Sequence, residues 1–346
     1  MSSTAEGPWR EIVERARGYP SPHNSQPIKT RITGPSTADI FYDLDLGLPA
    51  ENYGIPFGHV CAGVFLESLT AVAGGLGYGV SEQLVDDDLD FSSPDRLHRL
   101  GSVTLSPNAV GDTAADDAAA ARARAFAERR TSRRPYDKRR VPDEVVDAVG
   151  EIARSQGQVF RVIRDPGAVK RIIRINQETL FDDLKNDAVH AEILHWLRFS
   201  RREAAARGDG LSAETMLMPG PLLRFAMTHR KMWEAPIVGG IIRRVYLNTM
   251  RGVTQLGWLE GSFRGPRDYL ESGRTFMRIW LEFTVRGVYL HPFGTVITNP
   301  RSHAAFVKEA GITETSSSMA WMLFRFGYSK TPPAAHRRTA EEMIVR

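Results

Sequence analysis

Cysteine is almost absent: Cys61 is the single one among 346 residues. It cannot close an internal disulfide, and no C-x-x-C pair offers a zinc site or thiol redox exchange. A disulfide-stapled scaffold is therefore excluded, and any redox chemistry must come from a bound cofactor. Charge of one sign is also lacking, since 45 basic side chains face 41 acidic ones for a net +4. That excess gives no general electrostatic case for a nucleic-acid partner. Long apolar runs are missing too. The most apolar stretch, Val60 to Leu76, is interrupted by Gly63, Glu67, Gly74 and Gly75 and reads as a buried helix, so no membrane span is expected. Met1 to Trp9 is small and polar and has no apolar core of a signal peptide, which points to a cytoplasmic protein.

The familiar catalytic signatures are missing as well. There is no G-x-x-x-x-G-K-[ST], no G-x-S-x-G and no H-E-x-x-H. His190 and His195 are five apart, the wrong spacing for one helical face, so neither a metalloenzyme nor a hydrolase is supported and no metal is expected. Gly75-Leu76-Gly77-Tyr78-Gly79 follows a helical pattern instead of a strand and lacks the third-glycine spacing of a dinucleotide loop; it is expected to end a helix.

What remains is ordinary globular sequence, 42% hydrophobic and 25% charged, long enough for roughly two domains at about 150 residues each. Trp9, Ile12, Val13 and Ala16 predict a short helix that stops at Gly18-Tyr19-Pro20. Lys29 to Thr33 and Ala38 to Leu44 alternate like strands, Phe57 to Tyr78 reads as a long helix, and Leu97 to Leu105 as a strand. Residues 107–117 form a linker before an Ala- and Arg-rich helix from Ala118 to Arg130. Helices then dominate from Pro142 to Arg207 around one strand, Val159 to Ile163, and Gly208-Asp209-Gly210 breaks them. Broken helices follow over 211–250, then a strand at Val253 to Phe263, a helix at Ser272 to Gly287, a loop at Gly294 to Ile297 and a strand at Ala320 to Phe326. Helices and strands do not alternate regularly, so the expectation is α+β, with helices around one mixed sheet.

Two polar segments stand out. Pro20-Ser21-Pro22-His23-Asn24-Ser25-Gln26-Pro27 is stiffened by prolines and rich in amide and hydroxyl groups. By composition it is either a structural turn or a loop that reads the edge of a polar heterocycle. Arg129-Arg130-Thr131-Ser132-Arg133-Arg134 packs guanidinium forks and hydroxyls together, as a phosphate monoester requires, although a solvated basic run has the same composition.

In combination these segments resemble the nitroreductase-like FMN flavoprotein superfamily, with its P-S-x-x-N-x-Q-P loop and R-[RH]-[ST]-x-[RK] segment. Their order resembles the Acg-type branch, in which two nitroreductase-like halves are fused. The resemblance implies an α+β nitroreductase-like fold with a mixed sheet flanked by helices. Its two pseudo-symmetric halves, 1–112 and 118–346, would form one intertwined unit. It implies FMN held by Ser21, Pro22, Asn24 and Gln26 on the ring and ribityl side. Arg129, Arg130 and Thr131 would take the phosphate, and Arg133 would face the pyrimidine edge. Phe293, Gly294 and Thr295 would place backbone N–H groups near the reactive nitrogen, and Arg337 or Arg338 would add a second phosphate contact. The chain departs from the pattern at Ile28, where an aromatic usually follows the proline. It also has no second copy of either motif, so one complete site is expected. The implied activity is hydride transfer from NAD(P)H through flavin to a nitro, quinone or other conjugated small molecule. A silent FMN-holding protein and a specialised biosynthetic flavin oxidase are the alternatives. The implied assembly is a monomer acting as a fused pseudo-dimer, or a homodimer, with no nucleic-acid or membrane partner.

Overall fold

Trp9, Ile12, Val13 and Ala16 share one helical face, and that face is fully buried in α1 (Trp9–Ala16). In the computed structural model, which describes residues 7–50, 55–108, 113–233 and 236–346, α1 leads into a loop and then a hairpin. The hairpin is β1 (Ile28–Ile32) and β2 (Thr37–Asp43), paired Ile28 to Tyr42 and Ile32 to Ala38 across Gly34-Pro35. The apolar run becomes α2 (Phe57–Gly75). It is long and apolar enough to cross a membrane, yet 78% of that stretch is buried inside the protein. Gly77, with φ +83°, turns the chain out of the helix as expected. It enters a strand that the sequence pattern does not announce, β3 (Tyr78–Leu84). β4 (Leu97–Pro107) completes an antiparallel sheet of order β1-β2-β4-β3.

The chain continues through α3 (Thr113–Glu128), α4 (Asp143–Ser155) and β5 (Val159–Ile163). A helical insertion follows: α5 (Pro166–Asp183), α6 (Asp187–Trp196), β6 (Leu197–Arg198), α7 (Arg201–Arg207), β7 (Leu211–Ser212), α8 (Gly220–Thr228) and α9 (Pro236–Thr249). The last stretch comprises β8 (Leu256–Gly261), α10 (Pro266–Val285), β9 (Tyr289–Pro292), α11 (Gly294–Thr298), α12 (Pro300–Ala310), β10 (Met319–Gly327) and α13 (Ala340–Met343). The expected loop at 294–297 is thus a short helix. The expected division between the halves after residue 112 falls at 109–112, which lie outside the described residues.

The second sheet has the order β5-β8-β10-β9 and is also antiparallel. The expectation of one mixed sheet is corrected: among the described residues there are two four-stranded antiparallel sheets, and parallel pairing is confined to β6 with β7 and to single bridges at Thr30–Ile344 and Thr131–Leu290. The two sheets repeat one topology, strand–strand–long helix–strand–strand, with α2 and α10 in matching places. In the first copy residues 33–36 join the opening strands, whereas in the second 164–255 do so and carry the helical insertion.

The matching helices cross at matching glycines. A Cβ on Gly63 would lie 1.9 Å from the Leu270 carbonyl oxygen, and one on Gly273 would lie 2.0 Å from that of Val60. Only glycine permits this approach, and the contact is reciprocal, as a pseudo-twofold axis demands. Glu67 on α2 is buried beside it, with Arg278 Nε at 2.9 Å and Arg274 within 4.0 Å. The tail then returns to the first sheet. Ile344 lies parallel to Thr30, and the Val345 N–H donates to the Thr30 carbonyl at 2.9 Å.

Candidate functional site

The loop after α1 is held in a conformation that its residues disfavour. His23, Asn24 and Gln26 have φ of +48°, +57° and +55°, left-handed values that non-glycine residues adopt at a cost of about 1–2 kcal/mol each. Side-chain bonds hold it there. Ser21 Oγ accepts the Gln26 N–H at 3.0 Å. Asn24 Nδ2 donates to the carbonyls of Gly210 (3.1 Å) and His336 (3.0 Å), while its Oδ1 accepts from Arg337. Gln26 is fully buried; its Nε2 donates to the Gly208 and Asn24 carbonyls, and its Oε1 accepts the Arg338 N–H at 3.0 Å. The amides of Asn24 and Gln26 therefore latch the loop to 208–210 and to the tail, and Ser21 braces the turn from within. Pro22 stays exposed at its start.

α3 ends at Glu128, and the segment 129–134 that follows meets β9 at Leu290. Thr131 pairs in parallel with Leu290, and the Ser132 N–H donates to the Leu290 carbonyl at 3.1 Å. Arg129 is 4% exposed and lies over the Trp280 ring at 4.6 Å. Its Nη2 donates to the Gly18 carbonyl at 3.1 Å, but its Nε and Nη1 are buried with no hydrogen-bond partner. Arg337 Nη2 reaches the same carbonyl at 3.2 Å. Among the described residues Arg130 bonds only the carbonyls of Ala127 and Arg129. Among the described residues no carboxylate pairs with any of these three cations. Burial, then the neighbouring charges of Arg337 and Arg130, push the Arg129 pKa well below its usual value. Burial brings Arg337 down to about 10. Arg338 differs from its neighbour. It pairs with Asp209, a buried carboxylate that also holds Arg198 at 2.5 Å. In sequence Arg337 and Arg338 are equal options, and the geometry leaves Arg337 as the one without a counter-charge among the described residues.

A second set of charges gathers at the far end of the segment. Burial, then Arg325, lowers the Arg133 pKa to about 10. Arg133 forms no hydrogen bond or ion pair among the described residues. Arg325 is fully buried, donates to the carbonyls of Thr249 (2.6 Å) and Ser132 (3.0 Å), and stacks on Tyr136 at 4.8 Å. Burial, then Arg133 and Arg325, hold the His291 pKa well below its usual value, so its imidazole is neutral. Burial brings His23 to about 4, with Glu192 pulling it up and Arg133 pushing it down. Arg129, over Trp280, and Arg133, beside Arg325 and His291, thus mark the two ends of a cationic strip.

The turn after β9 is partly committed to the core. Phe293 is 2% exposed, and its N–H donates to the Leu323 carbonyl at 2.8 Å, so that group is not free to meet a ligand. Gly294 and Thr295 open α11 next to His291. Sequence reasoning missed Arg325, Asp209 and Arg198. Arg325 was findable as the lone charge in the strand Met319–Gly327, whereas the pairing of Asp209 with Arg338 links positions 129 apart in sequence.

No family model matches the chain, and no curated protein matches it. Solved structures of similar architecture exist. The FMN- and NADPH-dependent nitroreductase NfnB of Sphigopyxis sp. strain HMH aligns over 65% of this chain and 98% of its own at 15% identity, TM-score 0.37. The FMN-dependent nitroreductase NfnB from Mycobacterium smegmatis, in complex with NADPH, covers 66% of this chain and 99% of its own at 17% identity, TM-score 0.39. A nitroreductase with bound FMN from Bacteroides fragilis NCTC 9343 covers 63% and 93% at 12% identity, TM-score 0.37. Likeness at this level assigns no residue of this chain a role.

Proposed function

We propose that the chain binds one FMN between its two halves and works as an FMN-dependent oxidoreductase of nitroreductase-like type. The observation that carries this reading is Arg129. A buried guanidinium with two unpartnered nitrogens, beside Arg130 and Arg337 and with no carboxylate paired to it among the described residues, fits a dianionic phosphate. When bound, FMN supplies the chemistry, taking hydride from NAD(P)H and passing it to a nitro, quinone or other conjugated acceptor. The chain's own residues supply position and field. Arg129, Arg130 and Arg337 bind the phosphate, and Thr131 fixes their segment against β9. Asn24 and Gln26 orient the loop through 208–210 and the tail, while Ser21 and Pro22 set its entry. Arg133, backed by Arg325, presents positive charge at the other end, which favours an electron-rich ring there. The neutral imidazole of His291 and the turn at Gly294 and Thr295 adjoin that end.

The purified protein is expected to be yellow, or to take up added FMN. A colourless protein that binds none would refute the reading. Anaerobic mixing with NADPH then separates an enzyme from a silent flavin holder, since only the enzyme bleaches and recovers its colour with an acceptor. Air alone restoring the colour at a comparable rate would favour a flavin oxidase.

A further inference from the structure

A cavity of about 370 Å³ opens between α5 and α9. None of residues 20–27, 129–134 or 336–338 lines it, so it lies apart from the proposed flavin site. Its volume falls at the small end of ligand pockets, which run from about 300 to 1,000 Å³. The floor is apolar: Val169, Ile173 and Met250 line it and are buried. The rim is cationic. Arg140, Lys170 and Arg174 line it, are exposed, and form no ion pair or hydrogen bond among the described residues.

The neighbouring Arg164 shows what a satisfied cation looks like in the same wall. It pairs with Asp143 and donates to Gln255 at 3.1 Å and to the Val141 carbonyl at 3.0 Å. Lys170 and Arg174, by contrast, are an i, i+4 pair of like charge on one face of α5, an arrangement that mildly destabilises a helix. No acidic side chain among the described residues pairs with either. An apolar floor under an uncompensated cationic rim matches a ligand with one anionic head and one apolar body.

We infer that this cavity is a second binding site, for a small amphipathic carboxylate whose head meets Lys170, Arg174 and Arg140 and whose ring or chain covers Ile173 and Met250. The site is independent of the flavin reading, because it shares no lining residue with that strip.

Calorimetric titration of the full chain with 1-naphthoate tests it. Expected is one site per chain in the micromolar to low-millimolar range. The Lys170→Ala/Arg174→Ala double variant, at exposed positions, should bind at least tenfold more weakly with its thermal midpoint unchanged. Leu247→Trp, at a rim position 41% exposed, should block the cavity and weaken 1-naphthoate while leaving the fold intact. The uncharged 1-naphthalenemethanol should bind at least tenfold more weakly than the acid. No binding at millimolar 1-naphthoate, equal binding by the double variant or by the alcohol, or displacement by FMN would each overturn the proposal.

Discussion

Replacing Arg129 by Met separates ligand binding from folding. In the ligand-free protein the arginine contributes one charged hydrogen bond to the Gly18 carbonyl, worth about 1.5–3 kcal/mol, and a stack on Trp280 worth about 0.5–2 kcal/mol. Against this stand two buried donors without partners, each costing about 1–3 kcal/mol, and repulsion from Arg130 and Arg337. Met keeps a sulfur–aromatic contact with the indole. The terms nearly cancel, so Arg129→Met should change unfolding free energy by no more than about 2 kcal/mol in either direction. FMN binding should respond differently. Loss of a charge-assisted contact to phosphate removes about 1.5–3 kcal/mol, a ~10–150-fold rise in Kd. Urea denaturation of the ligand-free protein and a fluorescence titration with FMN read the two quantities. A loss of about 3–5 kcal/mol without FMN would mark Arg129 as a structural charge. Unchanged FMN affinity would remove it from the phosphate site. Either outcome overturns the role given to Arg129.

Further outcomes rest on the same geometry. Asp209→Asn leaves Arg198 and Arg338 buried without a counter-charge and should destabilise by about 3–5 kcal/mol in urea titrations. Gly63→Ala and Gly273→Ala each drive a methyl into a backbone carbonyl of the facing helix, so each should cost about 1–3 kcal/mol or more, by similar amounts in thermal melts. His23 titrates near 4 when folded against about 6.5 when unfolded, so the unfolded state binds the proton first. Stability from this group is fully present above pH 6.5 and declines as pH falls toward 4, by at most about 1.4 kcal/mol per pH unit. His23→Asn should flatten that slope in stability measured across the same pH window.

The elements that sequence reasoning found are those whose period is long or clean. α1 shows four apolar residues at helical spacing, and α2 is apolar on every side. Tyr78–Leu84 stayed hidden because it is an edge strand, half-exposed and carrying Gly79, Ser81, Glu82 and Gln83, so no alternation survives. β9 is four residues long and ends in proline, which reads as a turn. The repeated topology, which the family resemblance implies, is not legible in the residue pattern itself, because 164–255 separate two strands that 33–36 join in the first copy. At the site, the arginine run was legible as chemistry, but the difference between Arg337 and Arg338 depends on Asp209, more than a hundred residues away. An amide that grips backbone carbonyls, as those of Asn24 and Gln26 do, has the same composition as one that grips a heterocycle, so sequence alone does not separate the two roles.

Parallel titration of ligand-free protein with FMN and with riboflavin is the decisive measurement for the phosphate site. One FMN per chain is expected, with at least tenfold weaker binding of riboflavin, which lacks the phosphate that Arg129, Arg130 and Arg337 are placed to meet. Equal affinities, or no binding of either flavin, would show that these three arginines do not form a phosphate site.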